Sequence, residues 1–303
     1  MKKQQFLKHK LMSPLMMKKF RPYIWVGPSV LVLVGLLIYP WAWCLWLSFY
    51  SWSPLNQAAP VFIGLSNYIR TLTDKVFLSS IVNTITLAVS AIGISFILGF
   101  SLALMLSKVK KCRRIIFVLL LIPMMLPQSM AGLMWKFFYH NELGLLNWAF
   151  RQLGMSAVGW LSDPKIALIS VIIIEIWINT PFVLMIMFAG IQSIPLDPYE
   201  AALIDGANSI KRFWYITLPM MIPLIIIVLL FRIMHAIRAF DSVYSLFRSG
   251  GPGNSAKVIG VYLYDIYRMT WQLGLSSAVS IILLILTVAV ALGFSISMVK
   301  RMD

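Results

Sequence analysis

The chain has 303 residues, 60% of them hydrophobic and only 12% charged, with a mean hydropathy of +0.86, too apolar for a soluble domain that must cover itself with polar surface. The formal net charge of +16 would point to nucleic acid in a soluble protein, but here its distribution along the chain matters more than its sum. Cys44 and Cys112 are far apart in sequence, and no disulfide or metal framework follows from them.

The segment 1–23 is basic, carrying Lys2, Lys3, Lys8, Lys10, Lys18, Lys19 and Arg21. After it, apolar runs long enough to cross a bilayer, roughly 20 residues each, lie at 24–50, 77–107, 115–138, 166–191, 213–240 and 275–299. The expected fold is therefore an all-α polytopic membrane protein with about six spans, forming one membrane domain over 24–300 and leaving a tail at 301–303. The first run is too long for a cleaved signal peptide, and no small-x-small site follows it. Pro28, Pro40, Pro123, Pro127, Pro181, Pro219 and Pro223 interrupt the spans, which is tolerable where neighbouring helices satisfy the freed backbone groups.

Further basic residues cluster between spans two and three (Lys108, Lys110, Lys111, Arg113, Arg114), between spans four and five (Lys211, Arg212) and at the end (Lys300, Arg301). With the N-terminal group they hold well over half of the Lys and Arg, all on one side of the membrane. The positive-inside rule makes that side cytoplasmic, both termini included, and makes the basic N-terminus a topology anchor, with no nucleic acid as partner. The opposite loops are modest: 51–76, 139–165 and 241–274. The last contains Ser249-Gly250-Gly251-Pro252-Gly253-Asn254, expected to be a flexible turn cluster. Tyr262, Tyr264, Tyr267 and Trp271 follow, and read as an interfacial aromatic belt or as a substrate-stacking surface.

Between spans four and five lies a polar island, 193–212. Asp197 is expected as a helix N-cap, Pro198 as the first helical residue, and Glu200 as the third, reaching back to the N-cap amide. The helix runs through Ala201-Ala202-Leu203-Ile204-Asp205 and ends or kinks at Gly206, which accepts a left-handed conformation. Asn208 or Ser209 caps a second helix that enters the fifth span, where Pro219 and Pro223 bend it. Capping accounts for Glu200 but not for two alanines beside Leu203 and Ile204 in a loop with no domain to pack on. Small residues let another protein approach the backbone, so the segment reads as a docking helix.

Ionisable residues at membrane depth cost several kcal/mol unless they are paired or face water. Glu175 and Asn179 share a face of span four, and Arg232, His235, Arg238 and Asp241 recur every three residues as one slanting polar ridge. Glu175 and Arg232 form a structural ion pair or contact the transported solute directly. His235 is expected to be a hydrogen-bonded interior histidine. No HExxH, cysteine cluster or second histidine at ligand spacing accompanies it, so no metal site is expected.

The island resembles the EAA motif of the permease subunits of ATP-binding-cassette importers, at Glu200, Ala201, Ala202, Gly206, Ile216, Leu218 and Pro219. Phe62-Ile63-Gly64-Leu65-Ser66-Asn67-Tyr68 is similar to the outer segment of the carbohydrate-uptake permeases. So are Asn179-Thr180-Pro181-Phe182, the run from Ala189 to Pro195, Phe240-Asp241 with Tyr244, the Gly250-Gly251-Pro252 turn, and Gly274 with Ser276, Ser277 and Ser280. The resemblance implies a type I importer fold with a cytoplasmic coupling helix, in the plasma membrane of a prokaryote. Its coupling residues would be those of the motif together with Leu203 and Asp205. It further implies a second, related but different permease subunit, two cytosolic ATPase subunits, an extracytoplasmic solute-binding protein, and surrounding membrane lipid. The cargo would be an oligosaccharide or a glycerol phosphate, with Glu175, Asn179, Arg232, His235, Arg238, Asp241 and Tyr244 as the path. The chain has no G-x-x-x-x-G-K-[ST] loop, so ATP and Mg would be used by the partner ATPase, with no cofactor bound and no chemistry performed here. An ion-gradient-driven secondary transporter is the alternative. A membrane-embedded enzyme, which needs a nucleophile with its base or a metal near the midplane, is the third class.

Overall fold

The computed structural model describes residues 26–237 and 239–302. The basic segment 1–23, Arg238 and Asp303 lie outside the described residues. In chain order the elements are α1 (Val26–Leu47), a hairpin of β1 (Tyr50–Ser51) and β2 (Val61–Phe62), α2 (Ser66–Thr73), α3 (Lys75–Lys108), α4 (Arg113–Met125), α5 (Gln128–Phe138), α6 (Leu145–Gln152) and α7 (Pro164–Ser193). There follow α8 (Asp197–Ile204), α9 (209–237), α10 (Asp241–Phe247), α11 (Ile259–Thr270) and α12 (Leu273–Met302). The last helix thus continues through most of the expected tail.

Among the described residues, α1, α3, α7, the run Ser209–Phe247 and α12 are each long and apolar enough to cross a bilayer. The expected third span, 115–138, is not one helix. It is the pair α4 and α5, bent by 94° at their junction. Leu126 is extended (ψ 137°) because the Pro127 ring excludes the helical region for the residue before it, and Pro127 itself supplies no N–H to continue the ladder. Counted as one crossing, the bent pair makes the sixth.

The centre of the bundle is the long contact of α3 against α7. A Cβ at Gly99 would lie 2.7 Å from Val183 Cβ and 2.9 Å from the Thr180 carbonyl, so only glycine allows this approach, as small residues do in membrane helix pairs. Around it Phe100, Ala103 and Leu106 pack on Val183, Leu184 and Met187, and on Met221 and Val228 of α9. Toward the other end, Leu87, Ala131, Val171, Ile174 and Val243 join α3, α5, α7 and α10. Helix α1 leaves most of its apolar side chains exposed, as expected of a helix whose solvent is lipid.

Helix α9 contains a π-helical turn, Phe213–Thr217, just before Pro219, whose missing N–H already interrupts the regular ladder. It ends at Ile237; Phe240 is non-helical (φ −139°, ψ −51°) and α10 starts afresh at Asp241. The expected continuous ridge from Arg232 to Asp241 is therefore broken, because three-residue spacing aligns side chains only while the helix persists.

The end formed by 48–74, 139–163 and 248–272 is more structured than the modest loops expected. Asn67, buried, donates from Nδ2 to the carbonyls of Ser48 and Tyr50, both at 2.9 Å, which pins the hairpin to α2. The turn 249–254, expected to be flexible, is tied down. Gly250 and Gly251 take positive φ, Lys257 Nζ lies 2.8 Å from Asp265 Oδ2, and Ser249 Oγ donates to the same oxygen at 2.9 Å. The aromatic belt also divides. Tyr262 is buried against Phe77 and donates to Asp74 Oδ2 at 2.7 Å, so burial and then that bond raise its phenol pKa above the ordinary value. Tyr267 and Trp271 are exposed, as a belt requires.

Candidate functional site

Where α4 breaks from α5, a cavity of about 350 Å³ opens between the break, α7 and α9. Its polar lining is Gln128, Asn179, Arg232 and His235, and Phe182 and Phe231 add aromatic surface. Three of the expected path residues, Asn179, Arg232 and His235, thus meet in one place. His235 is exposed there rather than interior, contrary to expectation.

Glu175 stands behind this lining, 2% exposed. Its Oε1 accepts from Gln128 Nε2 at 2.6 Å and from the Ser242 hydroxyl, and its Oε2 accepts from Asn179 Nδ2 at 2.9 Å. The expected ion pair with Arg232 is not formed. Among the described residues the one pair within 4.0 Å is Lys257–Asp265, and Glu175 acts on Arg232 only from farther away. The reason is that three neutral donors from α5, α7 and α10 fill the carboxylate, and two of them, Gln128 and Ser242, lie far from it in sequence. Arg232 is 3% exposed, and its Nε and Nη2 are buried with no hydrogen-bond partner.

The amide N–H groups of Gln128 and Asn179 are turned to Glu175, which leaves their carbonyl oxygens as acceptors beside a guanidinium donor and two aromatic rings. Apolar walls with a few convergent polar groups suit a small polar ligand. Sequence reasoning missed Gln128, Ser242, Phe182 and Phe231 as parts of this site. The signal for Gln128 was its place directly after Pro127.

The other expected path residues lie elsewhere. Asp241 is an exposed first residue of α10. Tyr244 stacks on Phe240 with ring centroids 5.0 Å apart and meets Tyr264 edge-on at 5.0 Å. Phe240 and Tyr264 border a second cavity of about 400 Å³ with Ser276, Ser277 and Ser280. Arg238 lies outside the described residues.

At the far end of α7, α8 begins at Asp197 with Leu196 in the capping position and no side-chain cap. Asp197 is therefore one residue inside the helix instead of capping it, and Glu200 is exposed. Both carboxylates still favour the positive N-terminal end. The C-terminus matches expectation. Gly206 has φ +72°, its N–H bonds the Leu203 carbonyl at 3.1 Å, and Ala207 N–H bonds that of Ala202 at 2.8 Å, a Schellman ending. Asn208 Oδ1 accepts from Lys211 N–H at 2.8 Å, and Tyr199 OH bonds Thr217 Oγ1 at 2.7 Å, tying α8 to the base of α9. Leu203 and Ile204 are 56% and 88% exposed. Ala201, Asp205 and Pro219 are exposed, whereas Ala202, Ile216 and Leu218 are half-buried.

The fold is thus a polytopic helical bundle with a polar cavity at a broken span. The family described as binding-protein-dependent transport system inner membrane component matches residues 95–299, and the chain belongs to that family. It is 35% identical to the trehalose/maltose transport system permease protein MalF of Thermococcus litoralis, over 92% of each chain. It is 32% identical to the sulfoquinovosyl glycerol transport system permease protein SmoG of Agrobacterium fabrum, over 88% of this chain and 86% of that one. The fold superposes with a TM-score of 0.82 on a crystal structure of a bacterial ABC transporter involved in import of the acidic polysaccharide alginate, at 21% identity and covering 95% and 99% of the two chains. The chain is thus a multi-pass membrane protein with the importer permease fold.

Proposed function

We propose that this chain forms the translocation path of a sugar importer for di- or oligosaccharides, and that it is not an enzyme. An extracytoplasmic solute-binding protein delivers the sugar. Two separate cytosolic ATPase subunits, using ATP and Mg, drive transport, and a second, related permease chain completes the path. The observation that carries this reading is the cavity at the α4–α5 break, with amide acceptors, a guanidinium donor and aromatic faces at one place. Relatives named for trehalose, maltose and sulfoquinovosyl glycerol support the cargo class.

In this reading α8 is the coupling helix. Its apolar Leu203 and Ile204 face outward from the chain, where an ATPase would cover them. The arrangement of basic segments supports placing α8 and both termini in the cytosol of a prokaryotic cell. The test is reconstitution in liposomes with co-purified partner subunits and the binding protein. Accumulation of a saccharide that requires ATP on the α8 side is expected. Accumulation under a proton or sodium gradient without ATPase subunits, or a chemical product formed from the saccharide by the purified chain, would replace this reading with one of its rivals.

A further inference from the structure

We infer that the saccharide carried through this cavity bears an anionic group, a carboxylate, sulfonate or phosphate, and that Arg232 binds it. This rests on the sugar-importer reading and narrows its cargo. Arg232 is 3% exposed and lines the cavity, yet its Nε and Nη2 are buried without a hydrogen-bond partner. A guanidinium at membrane depth without a contact counter-charge is held at a cost. The nearby carboxylate offsets this only through space, because the oxygens of Glu175 are taken by Gln128, Ser242 and Asn179 and none makes a contact pair with the guanidinium. No Asp or Glu is among the residues lining the cavity.

The planar fork of an arginine matches the paired oxygens of an oxyanion. The rest of the site fits a saccharide bearing such a group better than a bare anion. With their N–H groups committed to Glu175, Gln128 and Asn179 present oxygens, which accept from sugar hydroxyls and repel a negative charge. The acidic group is thereby directed to Arg232, and the hydroxyls to the α5 and α7 wall.

The experiment uses the whole importer complex in lipid nanodiscs, with trehalose and trehalose 6-phosphate as probes of matched skeleton, reading the concentration at which each half-maximally raises the thermal transition. In the wild type the phosphate ester should act at about a tenfold lower concentration, as one charge-assisted interaction gives. In Arg232→Gln that preference should vanish, and Arg232→Lys should keep part of it. Equal midpoints in the wild type overturn the inference and leave the saccharide importer standing, a result that needs no variant to fold. A preference that survives Arg232→Gln overturns the role of Arg232. Inorganic phosphate matching the ester would mean a free-anion site and would also overturn it. If neither sugar shifts the wild type, the saccharide reading fails and takes this inference with it.

Discussion

Glu175 and Asn179, one turn apart on α7, are joined twice: Asn179 Nδ2 donates to the Glu175 main-chain carbonyl at 2.8 Å and to its carboxylate Oε2 at 2.9 Å. The side-chain bond fixes which way the Asn179 amide faces, and the Gln128 amide is fixed in the same way from α5. Glu175 therefore sets which way both amides face. A carboxylate can only accept, so it selects the donor end of each neighbouring amide.

Glu175→Gln should weaken sugar handling without dismantling the complex. The substituted amide brings two donors to a place where Gln128, Asn179 and Ser242 all donate, so at least one buried group loses its partner, at about 1–3 kcal/mol. The half-saturating sugar concentration for uptake is expected to rise about tenfold, with assembly intact on size-exclusion chromatography. Exchanging the charges, with Glu175→Arg and Arg232→Glu together, should not rescue uptake, since the two side chains make no contact pair. Recovery to near wild-type uptake in that double variant would show that they do pair.

The spans could be read from hydropathy because bilayer thickness sets their length, and the ending of α8 could be read because Gly206 and Asn208 act on their immediate neighbours. The break at Pro127 was visible as a proline but not as a 94° bend, since membrane helices often carry prolines without turning. The partners of Glu175 could not be read at all. Gln128 and Ser242 are 47 and 67 residues away, and both look unremarkable in sequence, so pairing by charge with Arg232 stood beside direct solute contact as an expectation, and the geometry shows no such pair. The Asp197 cap differed by one residue because the chain enters α8 already helical at Leu196.

The Lys257–Asp265 pair should be a main support of the 248–272 region. Both side chains are about nine-tenths buried, and Asp265 Oδ1 has no hydrogen-bond partner. Lys257→Met would leave Asp265 with the Ser249 hydroxyl alone. A fully buried charge stranded in this way costs about 3–5 kcal/mol, and somewhat less at this partly wetted position. The thermal transition of the purified complex should fall clearly in Lys257→Met and return most of the way in the double variant Lys257→Met, Asp265→Leu. A double variant no more stable than the single one would show that the lysine stem, not its charge, supports the turn.

Gly206→Val should separate membrane insertion from coupling. The left-handed φ of +72° costs a β-branched residue about 1–2 kcal/mol or more, although nothing in this chain lies within 4 Å of an added Cβ. The strain falls on the ending of α8 and not on the bundle. Gly206→Val is therefore expected at normal levels in the membrane fraction, with ATPase subunits lost on purification and uptake abolished. Gly206→Ala meets the same empty space with a smaller side chain and should keep partial uptake. A Val variant that transports normally would remove α8 from the coupling path.

Orientation follows from the basic segments and can be checked at exposed positions on each end. With Cys44 and Cys112, both free thiols, replaced by serine, single cysteines would be placed at Ser209, exposed beside α8, and at Leu143, 87% exposed between α5 and α6. Seven basic residues before α1 and five around the α3–α4 turn should keep those segments inside, because moving Lys and Arg outward opposes both the membrane potential and the insertion bias. In intact cells a membrane-impermeant maleimide should label Leu143→Cys and spare Ser209→Cys, and permeabilised cells should label both. Labelling of Ser209→Cys from outside would put α8 on the wrong side of the membrane for any cytosolic ATPase, and the coupling argument would go with it.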